Sequence, residues 1–174
     1  MKTRIRLLAM ALTVASTLAP LPVSAQRATH VTGGGTGTFG ADLDGDGEID
    51  GSQFGMGLVI QGSTAKGHFE CLMAGRSDIL GLHLMAVEGK VDGAIANPDG
   101  SVSFSGAARV NLANGQIFEG VPFLVLVTAG GPGTGTLELT VIGAFDGVPG
   151  DTTPGNGNYD LPPEMVDSGQ ITIK

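Results

Sequence analysis

The chain has 174 residues, with 9 Lys or Arg against 17 Asp or Glu, a formal net charge of −8, no Trp, one Tyr and one Cys. So acidic a balance argues against binding to phosphate backbones or to anionic lipid. The lone Cys71 leaves no intramolecular disulfide, so stability must come from packing, backbone pairing and an ion if one binds.

The first 25 residues read as an address. Lys2, Arg4 and Arg6 form a positive start, Leu7 to Leu18 is a mostly apolar run, and Val23-Ser24-Ala25 is a small-x-small cleavage site before Gln26. The apolar run is shorter than the ~20 residues that a bilayer span needs. The reading is a cleaved secretory signal over 1–25 and one secreted β-domain over 26–174, periplasmic or extracellular, with no membrane attachment after cleavage. Taking three basic residues from the 9 leaves 6 against 17, so the mature chain carries −11.

After the leader, helical periodicity is nearly absent and the 30 glycines fall every few positions, which marks turns and bulges. Gly35-Thr36-Gly37-Thr38-Phe39-Gly40 satisfies a dinucleotide fingerprint, but no helix follows to hold a pyrophosphate. The next stretch, Asp42-Leu43-Asp44-Gly45-Asp46-Gly47-Glu48-Ile49-Asp50, has the spacing of an oxygen-rich calcium loop. In that reading Asp42, Asp44, Asp46 and Asp50 offer carboxylates, Glu48 its backbone carbonyl, and Gly47 the sharp turn. Ile49 is expected to pin the loop to a strand. Gln53 stands where a helix-loop-helix site has its bidentate acid, and the glycine-rich segment 31–41 cannot be an entering helix. The expectation is therefore a lone calcium loop between strands, with calcium the ion and affinity on the order of 10⁻⁴ to 10⁻³ M; the alternative is a solvated acidic turn.

Strand alternation follows. Phe54 to Gln61 looks like a strand, and Lys66 to Ala74 sets Phe69, Cys71 and Met73 against His68, Glu70 and Leu72. Leu80 to Val87 alternates as well, and Ser101 to Leu112 does so around a Gly-Ala-Ala interruption. Pro122 to Thr128 is continuously apolar, the pattern of a strand buried on both faces. Leu137 to Ile142 and Gln170 to Lys174 complete the series. Turns are expected at Asn97-Pro98-Asp99-Gly100, Ala113-Asn114-Gly115 and Gly130-Gly131-Pro132-Gly133, with a further one near Arg76-Ser77. Segment 146–160 is too rich in Gly and Pro for regular pairing. The fold class is all-β, a single antiparallel sandwich or barrel with meander hairpins.

Gly33-Gly34-Gly35, Phe54-Gly55, Lys66-Gly67-His68-Phe69, Gly130 to Gly133 and Ser168-Gly169-Gln170-Ile171 together resemble a family of exported bacterial β-domains of largely uncharacterised function. The resemblance implies a small secreted all-β domain with no assigned activity. The aspartate-rich insertion looks like an addition to that pattern.

Three functions remain in view. The first is a non-enzymatic secreted β-domain, structural, adhesive or binding, stabilised by calcium and open to an extracellular or cell-surface partner. The second is a small hydrolase or metalloenzyme using His68, Glu70 and His83, which a turn near Arg76 would bring onto one sheet face. The third is a small-ligand carrier with a barrel interior. No nucleophile–base set is recognisable: Asp167-Ser168-Gly169 has no histidine in a matching context, and Cys71 reads as a buried small hydrophobe.

Overall fold

The computed structural model describes residues 28–43, 45–79, 82–112 and 114–174, the side chains of 74–84 excepted. The leader 1–25 and Asp44 lie outside the described residues. The elements are all strands: β1 (Thr29–Thr38), β2 (Gly51–Gln61), β3 (Thr64–Ile79), β4 (Leu82–Ala96), β5 (Val102–Leu112), β6 (Ile117–Thr128), β7 (Thr136–Val141), β8 (Tyr159–Asp160) and β9 (Glu164–Ile173).

Consecutive strands from β1 to β7 pair as antiparallel neighbours, and β9 pairs with both β1 and β7, so the ladder returns on itself as a ring. The short β8 adds to the far end of β7 through Thr140↔Asp160 and Val141↔Tyr159. This is the meander that the hairpin signals predict. Asn97 and Ser101 close the β4–β5 turn with a backbone bond of 2.9 Å, Leu112 and Gln116 close the β5–β6 turn at 2.9 Å, and Gly130–Gly133 lies between β6 and β7.

The period-2 pattern decides which side chains share the interior. Phe54, Met56, Leu58 and Ile60 of β2 point inward and are buried, as are Phe69, Cys71 and Met73 of β3, while Gln53 and Val59 are exposed. Three rings meet inside. Phe69 stacks on Phe123 at 5.6 Å between centroids and meets Phe104 edge-on at 5.7 Å.

Two expectations are corrected. The run from Pro122 to Thr128 is not buried on both faces: Phe123, Val125 and Val127 are buried, but Leu124 is 42% exposed. Leu126 on the same face is only half-buried, so the continuous apolar run marks a strand buried on one face. The second concerns β3, which runs on through Arg76 and Ser77 to Ile79 instead of turning there. Pairing with β4, with a register shift between Ala74 and Ile79, overrides the local turn preference of those polar residues.

The inward/outward alternation along β6 has a measurable consequence. Phe123→Ala is expected to lower unfolding free energy by about 3–5 kcal/mol in urea denaturation, whereas Leu124→Ala next to it costs under about 1 kcal/mol. Equal losses would mean that the face assignment is wrong.

Candidate cation loop and its surroundings

The acidic loop joins β1 to β2, and its ends are held together by the Phe39 N–H, which donates to the Asp50 carbonyl at 2.9 Å. Inside it, each described aspartate accepts from the loop's own backbone. Asp42 Oδ1 takes the Gly45 N–H at 2.7 Å and Oδ2 takes the Gly47 N–H at 2.8 Å. Asp46 Oδ1 takes the Glu48 N–H at 2.8 Å. Gly47 has φ 95°, the left-handed conformation that the sequence assigns to the sharp turn.

Asp50 differs from the other acids. It is 2% exposed, and its carboxylate accepts from the Leu43 N–H, clasping one end of the loop to the other. Ile49 does not pin the loop to a strand, since it is 48% exposed; Leu43 is the residue packed against the core. The alternation of acids with other residues conceals this, because no periodicity tells which aliphatic neighbour turns inward.

The described members of the predicted ligand set are therefore Asp42, Asp46, Glu48 and Asp50, with Asp44 outside the described residues. Among the described residues no three His, Cys, Asp or Glu side chains form a group that could hold a metal ion. A carboxylate has about four lone-pair sites, and each oxygen of Asp42 accepts at least one loop N–H.

The second candidate set does not assemble as expected. With β3 running to Ile79, Glu70 faces Glu88 and His68 faces Lys90. His83 lies five positions further along β4 from Glu88, a separation of ~17 Å at strand rise, and its side chain is outside the description. Glu70, Glu88, Gln53, Leu72 and Ala86 instead line a shallow outer concavity of about 270 Å³. Glu88 is paired there with Arg109 at 3.6 Å, which also meets Glu119 at 3.2 Å.

A buried acid that the sequence reading missed lies at the same end of the ring as the loop. Glu164, the first residue of β9, is 2% exposed and receives both the Ser52 N–H (2.5 Å) and the Ser52 hydroxyl (2.7 Å). Gly37 on the intervening β1 makes room for it, because a Cβ there would lie 2.5 Å from Glu164 Cγ. Burial, helped by the Glu164 charge and opposed by a bond from Ser52, pushes the Cys71 thiol up to about 12. Cys71 is thus a buried thiol whose environment favours the protonated form.

The long segment 142–158 between β7 and β8 is organised by carboxylates as well. Asp146 accepts from the Gly155 and Gly157 N–H groups at 2.6 and 3.1 Å. Asp151 accepts from the N–H groups of Gly147, Thr153 and Asp160 at 2.8, 3.0 and 3.3 Å. Asp160 receives the Thr153 hydroxyl, the Asn156 amide at 2.6 Å and the Thr140 hydroxyl at 2.8 Å.

Compared with known proteins, the chain matches no family model, no curated protein and no solved structure.

The staples in 142–158 set a pH dependence. Desolvation and the neighbouring Asp160 charge work against ionisation of Asp151, but its three backbone donors outweigh them and hold it below the usual carboxylate range. Bonds from Thr153, Asn156 and Thr140 lower Asp160 in the same way. A depressed folded pKa contributes stability that is present above the unfolded value of about 3.9 and is lost as pH falls through the folded value. Melting temperature should therefore drop on acidification from about pH 4 towards pH 2, and Asp151→Asn with Asp160→Asn should flatten that drop. Both residues are only half-buried, so solvent screening keeps the effect small. An unchanged acid limb in the double variant would remove these two groups from the account.

Proposed function

We propose that the chain is an exported β-domain with a structural, adhesive or binding role rather than a catalytic one, stabilised by calcium at the 42–50 loop. The leader at 1–25 and the resemblance to exported β-domains support the location, in periplasm or medium. The observation that carries the calcium reading is the loop itself. Asp42 stands at its first position with both oxygens drawn over the turn by Gly45 and Gly47, and Gly47 adopts the left-handed turn at the sixth. That arrangement sets a carboxylate and a sharp turn at the first and sixth positions, as the loop of a hard-cation site has them.

The other two functions have weaker support. A metalloenzyme built on His68, Glu70 and His83 needs a register that pairs Glu70 with His83, and Glu70 faces Glu88. A carrier needs interior space, and Phe69, Phe104 and Phe123 pack against one another inside the ring.

The test is a thermal melt with calorimetry. An ion that binds only the folded state stabilises it by ~2.7 kcal/mol at a hundredfold excess over its dissociation constant. Millimolar calcium should raise the melting temperature over that in chelator, and magnesium should do so less, because it keeps a smaller octahedral shell with retained water. Asp44→Ala with Asp46→Ala should abolish the calcium-dependent part and leave the β-rich circular dichroism intact. Identical melts in chelator and in calcium, with no heat of binding, would make the loop an acidic turn only.

A further inference from the structure

The acidic loop and the 142–158 segment meet at Leu43. Leu43 has its N–H held by the buried Asp50 carboxylate, and its side chain packs against the core beside the tip of the long segment. A Cβ placed on Gly150 would lie 3.6 Å from Leu43 Cβ and 2.7 Å from the Tyr159 hydroxyl, so the Gly150 backbone rests against both. Gly150 also has φ 92°, and the Tyr159 hydroxyl donates to the Pro149 carbonyl at 3.1 Å. The tip is thereby docked on a side chain of the acidic loop and on a tyrosine that is 1% exposed.

A second anchor holds the start of the segment. Phe145 adopts φ 62°, a conformation that bulky residues rarely take, and its ring meets Phe118 of β6 edge-on at 5.3 Å. Val148, between the two anchors, also packs against the core. The segment is internally tied by Asp146, Asp151 and Asp160, so it has the means to move as a unit once an anchor is released. Segments held by few contacts open in cooperative units of this kind, below the cost of global unfolding.

We propose that the 42–50 loop and the 142–158 segment form one cap at this end of the ring, latched through Leu43. Tightening the acidic loop then orders the long segment, and loosening it releases the tip from Leu43 and Tyr159. Calcium is the ion that would drive the change, and that half rests on the reading given above; the latch itself does not.

Hydrogen exchange on the mature full chain separates the two. Relative to wild type, Leu43→Ala should speed amide exchange in both segments by about tenfold while leaving β3 to β5 unchanged. Gly150→Ala, which disturbs the docking from the other side, should do the same. Millimolar calcium should slow both segments in wild type but only 42–50 in Leu43→Ala. If Leu43→Ala and Gly150→Ala each speed exchange only in their own segment, the cap is overturned; if calcium protects 42–50 alone in wild type, the cap is overturned and the calcium reading stands. If calcium protects neither segment while both variants still link them, the calcium reading falls and the latch stands.

Discussion

Closure of the backbone ladder is the constraint on which the other features depend. A strand offers hydrogen-bonding groups on both edges, and a sheet with open edges invites pairing with other chains. Here β9 comes back between β1 and β7, so that these two strands, which would otherwise be the edges of a meander, each gain a partner. The join is economical. β7 and β9 pair only at Thr136↔Met165 and Leu137↔Glu164, reinforced by the Val166 N–H on the Gly135 carbonyl and by the Gly130↔Ile171 bridge. With the only cysteine buried and free, no disulfide supports this seam.

Glu164 stands at that seam, and its burial follows from the closure. As the first residue of β9 it opposes Leu137 of β7, and its side chain reaches past Gly37 on β1 to Ser52 on β2. A carboxylate removed from water is costly unless it is hydrogen-bonded, and bonds to a charged acceptor are among the stronger ones. The two bonds from Ser52 therefore link strands that share no ladder. The same charge, together with burial, keeps the Cys71 thiol protonated.

Acidic residues in the loops serve mainly as acceptors for glycine-rich backbone. Asp42, Asp46, Asp146 and Asp151 each take one or more loop N–H groups that no strand partner satisfies. This helps a chain with so many acids and few bases to keep long irregular connections ordered, because these carboxylates accept from peptide dipoles. It also sets the terms for any cation in the 42–50 loop, which would share oxygens with the turn, not replace it.

Much of the fold was legible in the sequence because strands are written at period two. Phe69, Cys71 and Met73 were placed on one face by alternation alone, and the turns at Asn97–Gly100, Asn114-Gly115 and Gly130–Gly133 by the chemistry of their own residues. The sharp turn at Gly47 was local too, since the spacing of the acids implies it. What required the tertiary structure was everything decided by a partner distant in the chain. The register of β3 on β4, which sets Glu70 against Glu88, depends on how far the hairpin extends, and pairing overrode the turn signal at Arg76. The exposure of Leu124 depends on whether anything covers β6. The burial of Glu164 and the inward turn of Leu43 in place of Ile49 depend on Ser52, Gly37 and Gly150, whose distance along the chain leaves no periodic trace. Local conformation follows from neighbouring residues, whereas burial and register are properties of the closed ring.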